Sequence, residues 1–94
     1  MKKHVFEVLY FAADNPAHNR GGKTLVQKID RIPDLQEALA VATEKMLNIH
    51  VQTGDMVRIR RKYASGEFDQ YASFVFSRTR WHVSQLAGAE LYKP

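Results

Sequence analysis

Cysteine is absent from this 94-residue sequence. Its absence excludes disulfide bonds and thiolate metal sites as supplements to the core, and is typical of a cytoplasmic protein. Long apolar runs are absent as well, since none approaches the roughly 18 residues that a membrane span requires. No internal repeat or low-complexity segment is present. These absences indicate an ordinary folded domain without covalent or membrane support.

We expect no export signal. The N-terminus begins with basic residues, but Glu7 and Asp14 interrupt the apolar core that a signal peptide needs, and no small-residue cleavage site follows. The length allows one domain, over residues 1–94, and no second core. Because so short a chain buries a modest fraction of its surface, we expect marginal stability or support from a partner or a dimer.

Residues 33–49 form the segment with the cleanest helical period. Asp34 is a good N-cap, and Glu37 three residues later completes an acidic form of the capping box. Pro33 makes the boundary sharp. The apolar residues recur at steps of three and four and predict one buried stripe: Leu35, Ala38, Leu39, Ala42, Met46 and Ile49.

Most of the remaining sequence predicts strands, because it is rich in β-branched and aromatic residues between turn signals. Four strands are expected, over His4–Ala13, Lys23–Ile32, Met56–Tyr63 and Phe68–Ser77. The first is apolar on both faces, which is typical of a central or doubly covered strand. The sequence therefore predicts an α+β fold, a single layer of four mostly antiparallel strands (β-β-α-β-β) with one helix packed on one face.

The C-terminal segment, residues 83–92, is open to two interpretations. The spacing of four apolar residues suits the inward face of a short helix: Val83, Leu86, Ala87 and Leu91. Gly88 near the middle weakens such a helix, so a loosely packed tail is the alternative.

A row of cations in the third strand is the strongest functional signal. Val57 and Ile59 alternate with basic residues, so the two sets must lie on opposite faces of the strand. If the apolar pair faces the helix, the cations project from the open face: Arg58, Arg60 and Lys62.

An aromatic side chain is expected beside these cations. Tyr71 lies on the same face if Phe74 and Phe76 pack inward. Cations around an exposed ring suit single-stranded nucleic acid, because the charges contact phosphates and the ring stacks on a base. The structural alternative is the solvated face of an edge hairpin, where such charges discourage edge-to-edge association.

Four further cations are expected as outlying contacts of the same surface. Arg78 and Arg80 follow the fourth strand and are expected beyond the edge of the sheet. Arg20 lies in the polar loop of residues 14–22, and Lys23 follows it. The formal net charge of +4 favours acidic partners such as nucleic acid, although a small basic excess also serves solubility alone.

Residues with the spacing of a catalytic or metal site are not found. The four histidines show no i, i+4 pairing and no carboxylate at ligand spacing, and no serine has a nucleophile context. We therefore expect neither an enzyme nor a resident cofactor or metal, but a non-enzymatic binding module whose basic sheet face binds nucleic acid or a nucleoprotein complex.

The alternative is an inhibitor that binds a protein. In size, lack of cysteine and expected β-β-α-β-β layout, the chain resembles small inhibitors encoded by phages or mobile elements, including some anti-CRISPR proteins. That resemblance implies that the same basic face occupies an acidic or nucleic-acid-lined surface of a host complex. A homodimer, held by sheet edges or by the doubly apolar first strand, is a third interpretation.

Overall fold

A computed structural model describes residues 4–13, 23–47 and 50–86 of the chain. Five strands and one helix follow one another: β1 (His4–Ala13), β2 (Lys23–Ile32), α1 (Leu35–Met46), β3 (Met56–Tyr63), β4 (Phe68–Ser77) and β5 (Arg80–Leu86). The strands form one antiparallel sheet in the order β2-β1-β3-β4-β5. The α+β class is therefore confirmed, but the predicted count of four strands is wrong.

The additional strand replaces the start of the predicted C-terminal helix. Arg78 and Thr79 have positive φ angles of 52° and 65°, as in a type I′ turn, and Ser77 pairs with Arg80 across this turn. Residues 83–86 are consequently strand, and the rest of the predicted helix lies outside the described residues. Between Ser73 and Phe74 the register with β5 shifts, which makes Ser84 the extra residue of a bulge.

That bulge explains the misleading helical spacing. Val83 pairs with Phe74 and Leu86 pairs with Ala72, so two residues three apart in β5 lie on the same face of the sheet. In a regular strand, residues three apart would lie on opposite faces.

The helix covers one face of the sheet, which we call the helix face; the opposite face is the open face. α1 begins at its N-cap Asp34, whose carboxylate accepts a hydrogen bond from the Glu37 amide at 2.8 Å. Its buried residues are Ala38 and Ala42, and their small side chains let the helix approach the sheet closely. Leu39, expected in the buried stripe, is 41% exposed.

The core lies between α1 and the central strands. α1 packs mainly on β1 and β3, with less contact to β2. The buried sheet residues of this cluster are Phe6, Val8, Tyr10, Ile32, Val57, Ile59 and Ala72. Trp81 closes one end of the core, because its indole nitrogen donates to the carbonyl of Met46 at 2.8 Å and so satisfies the helix C-terminus.

No helix in the described ranges is long and apolar enough to cross a membrane.

A buried carboxylate fixes the entry to β3. Asp55 accepts hydrogen bonds from the Tyr10 hydroxyl at 2.6 Å, the Ala13 amide at 2.9 Å and the Gln52 amide at 3.1 Å. The preceding Gly54 has a φ of 98° and lies so close to β1 that an added Cβ would be 3.0 Å from the Ala13 Cβ. Asp55 therefore ties the end of β1 to the start of β3, and so sets the register of the two central strands.

Candidate functional site

The open face carries the cations that the alternation of β3 predicts. Val57 and Ile59 are fully buried in the core under α1, so the residues between and after them point away from the helix. Arg58 and Arg60 are half-buried and Lys62 is exposed. On the neighbouring β1 they lie opposite Leu9, Glu7 and Val5, respectively.

A buried carboxylate lies between two of the basic residues on this face. Glu7 is 2% exposed, and its Oε1 accepts hydrogen bonds from Arg60 Nη2 at 2.8 Å and Nε at 3.1 Å. Lys28 of β2 approaches the other carboxylate oxygen at 3.7 Å. The carboxylate therefore fixes the guanidinium of Arg60 against the sheet.

Two phenylalanine rings contact the arginines of this face. The Arg60 guanidinium carbon is 4.4 Å from the ring centroid of Phe68, and that of Arg58 is 5.3 Å from the centroid of Phe11. Both distances are within the range of a cation–π contact. Phe68 is 58% exposed, so much of its ring is open to another planar group.

Arg58 differs from Arg60 because it has no carboxylate partner in the described part of the chain. Its Nη2 donates only to the weak acceptor Met56 Sδ at 3.7 Å, and its Nε is buried without a hydrogen-bond partner. Leaving a charged donor unsatisfied is unfavourable. Arg58 is therefore the arginine of this face whose hydrogen-bonding capacity is least used.

Tyr71 does not lie on the open face. The register of β3 with β4 shifts between Ile59 and Arg60, so Tyr71 is the extra residue of a bulge. Its ring packs against the core, with its centroid 6.2 Å from that of Phe6 in an edge-to-face contact. The exposed ring beside the cations is instead Phe68, which the sequence interpretation missed.

Two of the outlying cations, Arg78 and Arg80, lie away from Arg58 and Arg60. Arg78 lies in the turn between β4 and β5, and both arginines are exposed. The expectation that Arg80 lies beyond the edge of the sheet is wrong, because Arg80 is the first residue of β5 and pairs with Ser77. Lys62 is near the opposite end of the sheet, where it pairs with Phe68 before the turn from β3 to β4. Lys23 begins β2, and Arg20 lies outside the described residues.

A second arginine–carboxylate cluster lies on the helix face. Arg61 donates to both oxygens of Asp69, at 3.2 Å from Nε and 3.0 Å from Nη2, and the Tyr63 hydroxyl donates to the same carboxylate at 3.0 Å. The hydrogen bond from Arg61 is the largest cause of a lowered pKa at Asp69. This cluster joins β3 to β4. Unlike Arg58, Arg61 forms an ion pair with a carboxylate.

Metal-ligand geometry is not found in the parts of the chain that the structure describes, where no three His, Asp or Glu side chains converge. His4 packs edge-on against Phe6 and Tyr63, and a ring nitrogen of His82 lies 3.1 Å from the Ser77 carbonyl. These two histidines therefore have packing and turn contacts.

No protein-family model, curated protein or solved structure matches this chain, so a functional assignment rests on the residues described above.

Proposed function

We propose that the open face of the sheet binds single-stranded nucleic acid. The observation that carries the proposal is Arg58, a half-buried arginine that lies over Phe11 and whose Nη2 donates only to the weak acceptor Met56 Sδ among the residues described. A phosphate oxygen is the acceptor that such a guanidinium prefers. Phe68 lies on the neighbouring β4, where it pairs with Lys62, two residues after Arg60. Its exposed ring offers a surface on which a base can stack.

The proposed roles divide the basic residues into two groups. Arg58 and Lys62 contact phosphates, because neither has a carboxylate partner among the residues described. Arg60 instead supports the underside of Phe68, since Glu7 holds its guanidinium in place. Fixing the platform before binding reduces the entropy lost when a base stacks on it. Each stacked base contributes about 1–3 kcal/mol.

A single strand suits this face better than a duplex. Bases of a duplex stack on each other and do not present a free face to a protein ring, whereas unpaired bases do. Arg58 and Arg60 are two residues apart on β3, so the phosphate contact and the ring support are separated by about 7 Å along the strand. That spacing places a phosphate contact and a stacked base within a short stretch of one chain. The lack of cysteine agrees with a cytoplasmic site for this activity.

Fluorescence anisotropy with labelled single- and double-stranded DNA and RNA tests the proposal. Binding to a single strand through two or three phosphate contacts should weaken about 7- to 18-fold between 50 and 200 mM salt, for a slope of about −0.7 per contact. Duplexes of the same length should bind more weakly. Equal affinity for duplex and single strand, or affinity that does not change with salt, would contradict the proposal.

A protein-binding inhibitor, encoded by a phage or mobile element, is the second candidate. The composition of the same face favours it, because arginine and aromatic residues are enriched at the centres of protein interfaces. Here Arg58 and Arg60 would dock on an acidic surface of a host complex. Failure of every oligonucleotide to bind at 50 mM salt, together with binding to a purified protein assembly that Arg58→Glu abolishes, would replace the first candidate by this one.

A further inference from the structure

The helix leaves part of the helix face bare. Five strands at a spacing of about 4.8 Å place the outer strands roughly 19 Å apart, whereas a helix is about 10 Å wide. α1 packs mainly on β1 and β3 and less on β2, and β5 reaches it through Trp81 near its start, so the surface over the later part of β5 is the less covered part. Val83 and Leu86 of β5 are exposed there, Val83 by 59%.

The two edges of the sheet differ in how well they are protected against pairing. The edge strand β2 carries Lys28, Asp30 and Arg31, and its register with β1 shifts twice. Arg31 also has a positive φ of 58°. Charges and bulges are the features by which edge strands avoid association.

The edge strand β5 has much less protection. Its one charged residue is Arg80, at its first position, and the following six residues carry no formal charge apart from the titratable His82. Its single bulge is at Ser84. Its outer backbone edge has no strand partner in the described ranges of the chain.

We propose that β5 pairs antiparallel with β5 of a second copy of this chain, forming a two-fold symmetric dimer with a continuous ten-stranded sheet. A second copy suits this edge because antiparallel self-pairing places Arg80 of each copy at opposite ends of the interface, where the two charges do not face each other. The symmetry also brings the exposed Val83 and Leu86 of both copies onto one shared face. The open face with Arg58 lies on the other side of the sheet, so the proposal is independent of nucleic-acid binding.

Two matched substitutions test the dimer. Val83 and Val26 are both valines of edge strands, with nearly equal exposure of 59% and 58%. Light scattering coupled to size-exclusion chromatography should give a dimer mass for the wild-type chain at about 100 μM without nucleic acid. Val83→Glu should reduce that mass to the monomer, whereas Val26→Glu should leave it unchanged. A monomeric wild-type chain, or dissociation by Val26→Glu and not by Val83→Glu, would overturn the proposal.

A distance measurement covers the case in which Val83→Glu fails to fold. Because the chain contains no cysteine, a single cysteine at position 83 or 26 takes one spin label without further changes. Labels on Val83→Cys should lie within about 20 Å of each other across the dimer, whereas labels on Val26→Cys should be roughly 40 Å apart, from the strand spacing of about 4.8 Å. No measurable distance between labels at position 83 would overturn the proposal.

Discussion

Replacement of Glu7 by Gln is predicted to destabilise the protein by about 2–3 kcal/mol. Glu7 is buried and accepts two hydrogen bonds from Arg60. Breaking a buried ion pair costs about 3–5 kcal/mol, and hydrogen bonds to charged groups contribute about 1.5–3 kcal/mol. Because the Arg60 side chain is 22% exposed, water can replace part of the lost hydrogen bonding. We therefore place the expected loss of stability at about 2–3 kcal/mol, at the low end of these two ranges.

Urea denaturation of four proteins measures this contribution: the wild type, Glu7→Gln, Arg60→Gln and the double variant. The two single changes should be non-additive by about 1–2 kcal/mol, because each removes the same interaction. The melting temperature of Glu7→Gln should fall by roughly 10–20 °C for a domain of this size. Glu67→Gln, in the exposed turn after β3, is the matched control and should change stability by less than about 0.5 kcal/mol. Additivity within about 0.3 kcal/mol would refute the view that Glu7 fixes Arg60.

Further predictions concern the core and the cluster on the helix face. Ile59→Ala should lower the free energy of unfolding by about 3–4 kcal/mol because Ile59 is fully buried, whereas Leu39→Ala should lower it by only about 1 kcal/mol because Leu39 is half-exposed. Urea denaturation compares the two variants, and equal losses would contradict the packing of α1. Asp69→Asn should cost less than about 1 kcal/mol at pH 7, because the ion pair with Arg61 is partly exposed. The pKa of Asp69 is lower in the folded state than in the unfolded state. The ionised carboxylate therefore stabilises the folded protein above the unfolded pKa of about 3.9, and this stabilisation disappears as the pH falls through the folded pKa. The stability difference between wild type and Asp69→Asn should therefore shrink below about pH 4, and a difference that grows there would contradict the assignment.

The strands and helix could be predicted where local pattern and burial agree. The bounds of β1 to β4 match the segments rich in β-branched and aromatic residues, and the cap at Asp34 is as its sequence indicates. β5 could not be predicted in this way, because the bulge at Ser84 gives Val83 and Leu86 the spacing of a helix. Tyr71 was misplaced for the same reason, since one extra residue in a strand changes the face of a side chain.

The candidate site could be predicted only in part. Alternation alone places Arg58 and Arg60 on one face, since it is a property of β3 itself. The stacking of Arg60 on Phe68 depends on the register of β3 with β4, which sequence periodicity does not give. Glu7 offered a signal, because a single carboxylate within an apolar central strand requires a cationic partner when it is buried.

The most direct test of the proposed function compares two variants of β3. Arg58→Gln and Arg61→Gln each remove one positive charge from the same strand, but Arg58 lies on the open face and Arg61 on the helix face, paired with Asp69. Anisotropy with a labelled single strand should show that Arg58→Gln weakens binding by roughly tenfold and reduces the magnitude of the salt slope by about 0.7. Arg61→Gln should change the affinity by less than about twofold, because a loss of net charge alone has a small effect near physiological salt. Equal weakening by both variants would mean that net charge, and not the open face, binds the nucleic acid.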